Sequence, residues 1–190
     1  MKHNEKHIAD IAMQEFAKYG FRKTTMQDVA DAAGVSRQTL YNYVATKDEL
    51  LKLVARHYFA DAIQQCKTEL AQAKDLSDAF DSLINNFVRA PWHVIKSIPE
   101  AEEFEATSND IIGDEIQKAN SQKAALVEKT LVTHLEKNKR ALCKPDEIAA
   151  FFCATAAGIK SNAQSEDELN MLCAVLKQSL MRLQEQQIAA

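Results

Sequence analysis

Glycine and proline are scarce in this chain, four and three respectively among 190 residues, against average usage of about 7% and 5%. These residues punctuate the short strands of sandwiches and barrels, so a chain this poor in them has few means of turning often. Aromatic residues are sparse as well, 7% of the total with a single tryptophan. The longest nearly apolar run, 148–158, falls well short of the ~20 residues a membrane-spanning helix needs. The four cysteines, Cys66, Cys143, Cys153 and Cys173, form no C-x-x-C and have no paired histidines, which leaves neither a zinc site nor a thioredoxin-like motif. They suit a reducing compartment, where a free cysteine behaves as a small buried hydrophobe. The stretch MKHNEKHIAD lacks the apolar centre of an export signal. HExxH, an ExxH pair, GxGxxG and the P-loop are all missing. The expectation is a soluble cytoplasmic chain that meets no membrane, with no catalytic residue, metal or cofactor implied.

Ala, Leu, Lys, Glu and Gln abound instead, and the fold class they point to is all-α, with about nine helices. Helix 1 starts near Asn4, carries Ile8, Ile11, Ala12 and Tyr19 on one face with Phe16 beside them, and stops at Gly20. Thr25 with Asp28 three residues on gives a capping-box-like start to helix 2, whose apolar face is Met26, Val29, Ala30 and Ala33. Gly34 stands where a left-handed residue closes a helix, and after Val35, Ser36 caps a third helix through about Asn42. Thr46 with Glu49 opens a fourth, which runs to about Ala73. Beyond it the periodicity predicts a helix over 75–90 ended by Pro91, and a helical turn or kinked connection over 92–98. Helices over 99–108 and 111–139 follow, then one opened by Pro145 and one starting near Ser165.

Net charge is −4, from 23 basic and 27 acidic residues. Taken alone this disfavours a protein that coats nucleic acid through bulk charge. The distribution is uneven, however. Residues 1–57 carry nine Lys/Arg and seven Asp/Glu, while the remainder carries 14 and 20. A basic excess that small makes placement matter more than quantity.

The segment that bears chemistry is 25–43. Two short helices joined by Ala33-Gly34-Val35-Ser36 have helix-turn-helix spacing, which an ordinary αα corner shares. The composition of the second helix shifts the balance. In SRQTLYNY only Leu40 is strongly apolar, and Arg37, Gln38, Thr39, Tyr41, Asn42 and Tyr43 surround it with donors and ring faces. A helix so short is not stable on propensity, so a nearly all-polar one held in place has a face that contacts something.

The run TTMQDVADAAGVSRQTLYNYVATKDEL, preceded by FAKYGF, resembles the amino-terminal DNA-binding domain of the TetR family of transcriptional regulators. The resemblance covers roughly 8–58, and the rest of the chain matches only in helical character and length. It implies a helix-turn-helix domain over 1–57 and a helical ligand-binding and dimerisation domain over 58–190. The implied function is a sequence-specific, ligand-responsive repressor that binds a palindromic double-stranded operator as a homodimer. By resemblance Thr25, Ser36, Tyr41 and Lys47 are phosphate contacts, and Tyr43 occupies another contact position. Arg37, Gln38 and Thr39 are the candidates for base readout: Arg forks onto guanine, Gln onto adenine, and the Thr methyl meets a thymine methyl. Arg22 and Lys23 add long-range attraction or make contacts of their own, and Val44 is core.

One helix-turn-helix reads too few base pairs to select a genomic site, so two copies are needed. The last two helices supply candidates for their interface, Phe151, Phe152, Ile159, Leu172, Leu176 and Leu180, although the same stripes suit a monomer core. Ala154, Ala156, Ala157 and Gly158 would allow helices to approach closely. The middle helices are where the resemblance places a small-molecule effector, with Phe87, Trp92, His93, Phe104 and His134 as candidate lining. The implied mechanism is a population shift toward a dimer whose recognition helices no longer match major grooves roughly 34–36 Å apart, with helix 4 as the lever. An all-helical enzyme, and an interaction module that meets protein through 37–43, are the rival classes.

Overall fold

In a computed structural model of the chain, residues 5–134 and 143–184 are described. Among them the regular structure is helical throughout: α1 (Glu5–Tyr19), α2 (Met26–Ala32), α3 (Arg37–Tyr41), α4 (Lys47–Leu70), α5 (Leu76–Ile84), a π-helical turn (Asn85–Arg89), α6 (Ala90–Ser97), α7 (Ala101–His134), α8 (Pro145–Asn162) and α9 (Glu166–Gln184). The expected cap Asn4 and the expected helix end at Lys139 lie outside the described residues. No helix among those described is long and apolar enough to cross a membrane.

Two compact units emerge, and neither is one stretch of sequence. The first joins Met1–Asp61 with His93–Ala119, and the second joins Ala62–Trp92 with Asn120–Ala190. The division expected at 57/58 therefore leaves 93–119 on the far side of the cut from the segment it groups with. In the first unit Ile8, Ala12 and Phe16 of α1 meet Val29 and Ala30 of α2, Leu40 of α3 and Leu50, Leu53 and Val54 of α4; Phe104, Ile111 and Ile112 of α7 pack against this cluster. In the second, Phe80, Leu83, Phe87, Phe152, Leu169 and Leu176 are among the buried side chains of one core.

Two boundaries differ from expectation. Pro91 does not end a helix; it is the second residue of α6, directly after the π-helical turn. In α register its ring would collide with the carbonyl four residues back and that carbonyl would lose its donor. The chain enters α6 through the wider π-turn, in which the Ala90 N–H reaches Asn85 O. Likewise the break expected between 108 and 111 is a kink within α7, at Ile112 (φ −106°, ψ 17°).

Candidate nucleic-acid interface

The head of the first unit is built around one turn. The Val35 N–H donates to Ala30 O (3.0 Å) and the Gly34 N–H to Asp31 O (3.1 Å), closing α2 with Gly34 at φ +66°. A Cβ built on Gly34 meets nothing within 4 Å, so glycine is there for its backbone conformation alone. Ser36 then caps α3, its Oγ accepting the Thr39 N–H at 3.0 Å and lying 2.8 Å from the Thr39 hydroxyl. A helix of five residues is held by its one anchor: Leu40 is fully buried, contributing about 1.5–3 kcal/mol by that burial.

Anchoring Leu40 fixes the rotation of α3. At about 100° per residue, positions two before and two after it point away from the core. These are Gln38 and Asn42, both exposed, with the Gln38 amide 3.4 Å from Asn42 Oδ1. Arg37 is exposed beside them; its guanidinium donates to the Tyr41 hydroxyl at 3.3 Å and lies 5.4 Å from the centre of that ring. Tyr43 is 40% exposed, Thr39 and Tyr41 are half-buried, and Val44 is core. Asn42 was not among the candidates for base readout. Its place four residues after Gln38 and two after the single apolar residue was the signal that could have found it.

The two threonines that precede α2 separate by role. Thr24 is buried, and its hydroxyl donates to Gly20 O at 2.9 Å. Thr25 is exposed and forms a full capping box: its N–H and its hydroxyl both donate to the Asp28 carboxylate at 2.7 Å, and its Oγ accepts the Asp28 N–H at 3.2 Å. Those donors hold the Asp28 carboxyl below the usual carboxylate range.

Lys47, at the start of α4, does not reach for either of its acidic neighbours. Its ammonium donates to the carbonyls of Phe21 (2.9 Å), Arg22 (3.1 Å) and Thr24 (3.1 Å) and stands 4.6 Å from the centre of the Phe21 ring. All three ammonium protons are thus committed to one loop, and partial burial pulls the amine below its ordinary pKa. Glu49 takes part in the cap instead, accepting the Ala45 N–H at 2.6 Å while Thr46 accepts the Glu49 N–H at 3.1 Å. Arg22 and Lys23 are also engaged, Arg22 with Glu103 and Lys23 with Glu100 at 3.0 Å.

Phe152, Ile159, Leu176 and Leu180 are buried in the second unit's own core, Leu172 is half-buried against it, and Phe151 is 42% exposed. Of the small residues on α8, Ala156 is buried, while Ala154, Ala157 and Gly158 are exposed. Phe87 and Trp92 are core residues of that unit, the Trp92 indole N–H donating to Ala163 O at 3.0 Å. His134 is half-buried with Nδ1 2.9 Å from Thr130 O. His93 and Phe104 belong to the first unit, His93 exposed and Phe104 with its ring 6.2 Å from that of Phe21. Among the described residues no group of three or more His, Cys, Asp or Glu could hold a metal ion.

A glycine turn that presents a short polar helix, pinned by one leucine and flanked by two capped helix starts, is a helix-turn-helix head. Residues 8–54 match the family model for bacterial regulatory proteins of the tetR family. The head is therefore similar to the DNA-binding domain of that family, and an HTH-type transcriptional repressor is among the relatives that the chain matches. It is 29% identical over 83 residues to the HTH-type transcriptional repressor KstR2 of Rhodococcus jostii, a match covering 44% of this chain and 41% of that one. Over KstR2 and a Mycobacterium tuberculosis regulator the chain spans less than half of their own lengths. Its fold is that of the fatty acid degradation regulator FadR from Bacillus halodurans (TM-score 0.71, 18% identity, 95% of this chain and 96% of that one). It is also that of SmeT in its complex with triclosan (TM-score 0.67, 18% identity, 98% and 94% covered).

Proposed function

We propose that the chain is a cytoplasmic, ligand-responsive repressor, not an enzyme, that binds a palindromic operator as a homodimer. The observation that carries the reading is the outward face of α3, where a buried leucine and a left-handed glycine hold polar side chains away from the core. Arg37 and Gln38 read base edges, Asn42 joins them as a bidentate partner for adenine, and the Thr39 methyl supports a thymine contact. Thr25, Ser36, Tyr41 and Tyr43 lie against phosphate or sugar. Lys47 serves this surface from behind, by fixing the loop that precedes Thr25.

Self-association would use what α8 and α9 leave uncovered. Phe151 (42%), Met171 (57%) and Val175 (55%) are large exposed apolar side chains on these helices, and Ala154 and Gly158 continue the α8 stripe without bulk. Exposed apolar side chains of this kind support that reading where they adjoin one another. The second unit would hold the effector, and an effector with differential affinity for two dimer shapes would shift the operator-competent population.

The test is selection of bound fragments from a random duplex library, followed by titration of the enriched site. A two-fold symmetric site is expected. Arg37→Ala and Gln38→Ala should each relax preference at one position per half-site, with a loss of about 1–3 kcal/mol there. Enrichment of no sequence, or identical preferences in both variants, would remove the reading.

A further inference from the structure

Two cations, Arg22 and Lys23, stand in the loop before α2. Their side chains are 63% and 68% exposed, and each is paired with an acid at the start of α7: Arg22 with Glu103, and Lys23 with Glu100 at 3.0 Å. The two segments meet closely in other ways. The Phe21 ring lies edge-on to that of Phe104, a Cβ built on Gly20 would stand 3.6 Å from Pro99 O, and Phe21, Arg22, Glu100 and Glu103 line one small hollow. Glu100 has φ +58°, the one positive φ among the described residues other than glycine, and its carbonyl accepts the Phe104 N–H at 2.9 Å. Backbone outliers of this kind cluster at clamps and switches.

The ion pairs are not what fixes the loop. Lys47 holds its backbone through the Phe21, Arg22 and Thr24 carbonyls, and a pair of exposed charges contributes little to stability. What the pairs do is occupy charge beside the DNA-facing surface. Lys23 stands two residues before Thr25, a span of about 7 Å at most, so a phosphate at the Thr25 end of α2 lies within reach of its stem. Lys47 has no ammonium proton left for such a phosphate. Carboxylate and phosphate oxygens make the same demand on an ammonium or guanidinium group, and a solvated pair yields to the denser charge of a duplex.

We propose that Arg22 and Lys23 are phosphate contacts held in reserve, with Glu100 and Glu103 standing in for DNA phosphates until a duplex displaces them. The two acids are thus a built-in competitor that lowers affinity for every duplex, specific or not. This rests on the reading of the head as a DNA-binding surface, and extends that surface to the loop before α2.

Titrations of the selected operator into the full chain across a salt series test it. Glu100→Gln and Glu103→Gln together remove both competitors and should tighten binding about threefold or more, in keeping with the small worth of exposed pairs, while leaving the melting curve unchanged. Glu102→Gln, the same loss of charge at the exposed residue between them, should stay within about twofold of wild type. Arg22→Gln with Lys23→Gln should weaken binding and make the slope of log K against log salt concentration shallower by about 0.9 for each phosphate no longer neutralised. In that background the paired glutamate changes should no longer tighten binding. A paired glutamate variant that binds within about twofold of wild type overturns the proposal. So does a gain that survives the loss of Arg22 and Lys23, or that Glu102→Gln matches, since either reports bulk charge alone. A lower melting temperature with weaker binding overturns it as well, by making the pairs struts for the loop. Arg37→Ala measured in parallel keeps the two readings apart. If it relaxes operator preference while the glutamate variants bind as wild type does, only the reserve contacts fall. If wild type enriches no duplex, the regulator reading falls and takes its extension with it.

Discussion

Replacing Lys47 by methionine separates two roles for a residue that a sequence comparison treats as one. Methionine keeps most of the stem and removes the ammonium, which donates to Phe21, Arg22 and Thr24 carbonyls at 2.9–3.1 Å. A hydrogen bond from a charged donor is worth about 1.5–3 kcal/mol when buried. Here the side chain is only half-buried, and water can reach the carbonyls once the amine has gone. The three bonds and the cation–π contact with Phe21 therefore sum to about 2 kcal/mol, a fall of about 4–8 °C in melting temperature for a chain of this size. Operator affinity should drop with it, because the carbonyls belong to the loop that sets Thr25. The slope of log K against log salt concentration should not change, since the ammonium's protons are already taken. A lysine on a phosphate gives the opposite pattern: unaltered melting and a slope shallower by about 0.9 for each phosphate no longer neutralised. Thermal melting and operator titrations across a salt series decide between them, and that second pattern would refute the loop-fixing role.

Gly34→Ala tests the turn in isolation, because nothing obstructs the new methyl; the positive φ alone should cost about 1–2 kcal/mol, and Gly34→Asn less, by denaturant unfolding. Neighbouring phenylalanines on α8 should behave oppositely. Phe152→Ala, in the core, is expected to lose about 3–5 kcal/mol, whereas Phe151→Ala should change chain stability by about 0.5 kcal/mol or less and weaken self-association in sedimentation. Lys123 predicts a pH signature. Its amine titrates at about 8 in the fold against 10.5 unfolded, so between those values the unfolded chain holds more protons and stability rises with pH. The cost of the charge is full below pH 8, with a ceiling of about 3 kcal/mol. The stability gained by Lys123→Met should accordingly be largest below pH 8 and fade by about pH 10.5.

The helices of the head were legible because their signals are local. Thr25, Ser36 and Thr46 cap their own chain within three residues, Gly34 sets its own φ, and the spacing of Leu40 among polar residues already says which side faces inward. The family resemblance rests on those same positions. The π-helical turn was not legible, since Pro91 read alone ends a helix and only the register shift before it explains why α6 continues. The apolar stripes of α8 and α9 were visible, but a stripe does not say which partner covers it.

The amino-acid sequence by itself determined the all-helical class, the capped helix-turn-helix and the likeness of that head to the tetR family, all of which depend on contacts between near neighbours in the chain. Tertiary structure decided what depends on distant ones. It turned Lys47 toward carbonyls about 25 residues earlier, paired Lys23 with Glu100, and buried Phe152 while leaving Phe151 outside. It also set Lys123 over a ring of another helix. Where a charge ends up in a fold is governed by the groups that desolvate and oppose it, and those are chosen by chain topology rather than by spacing.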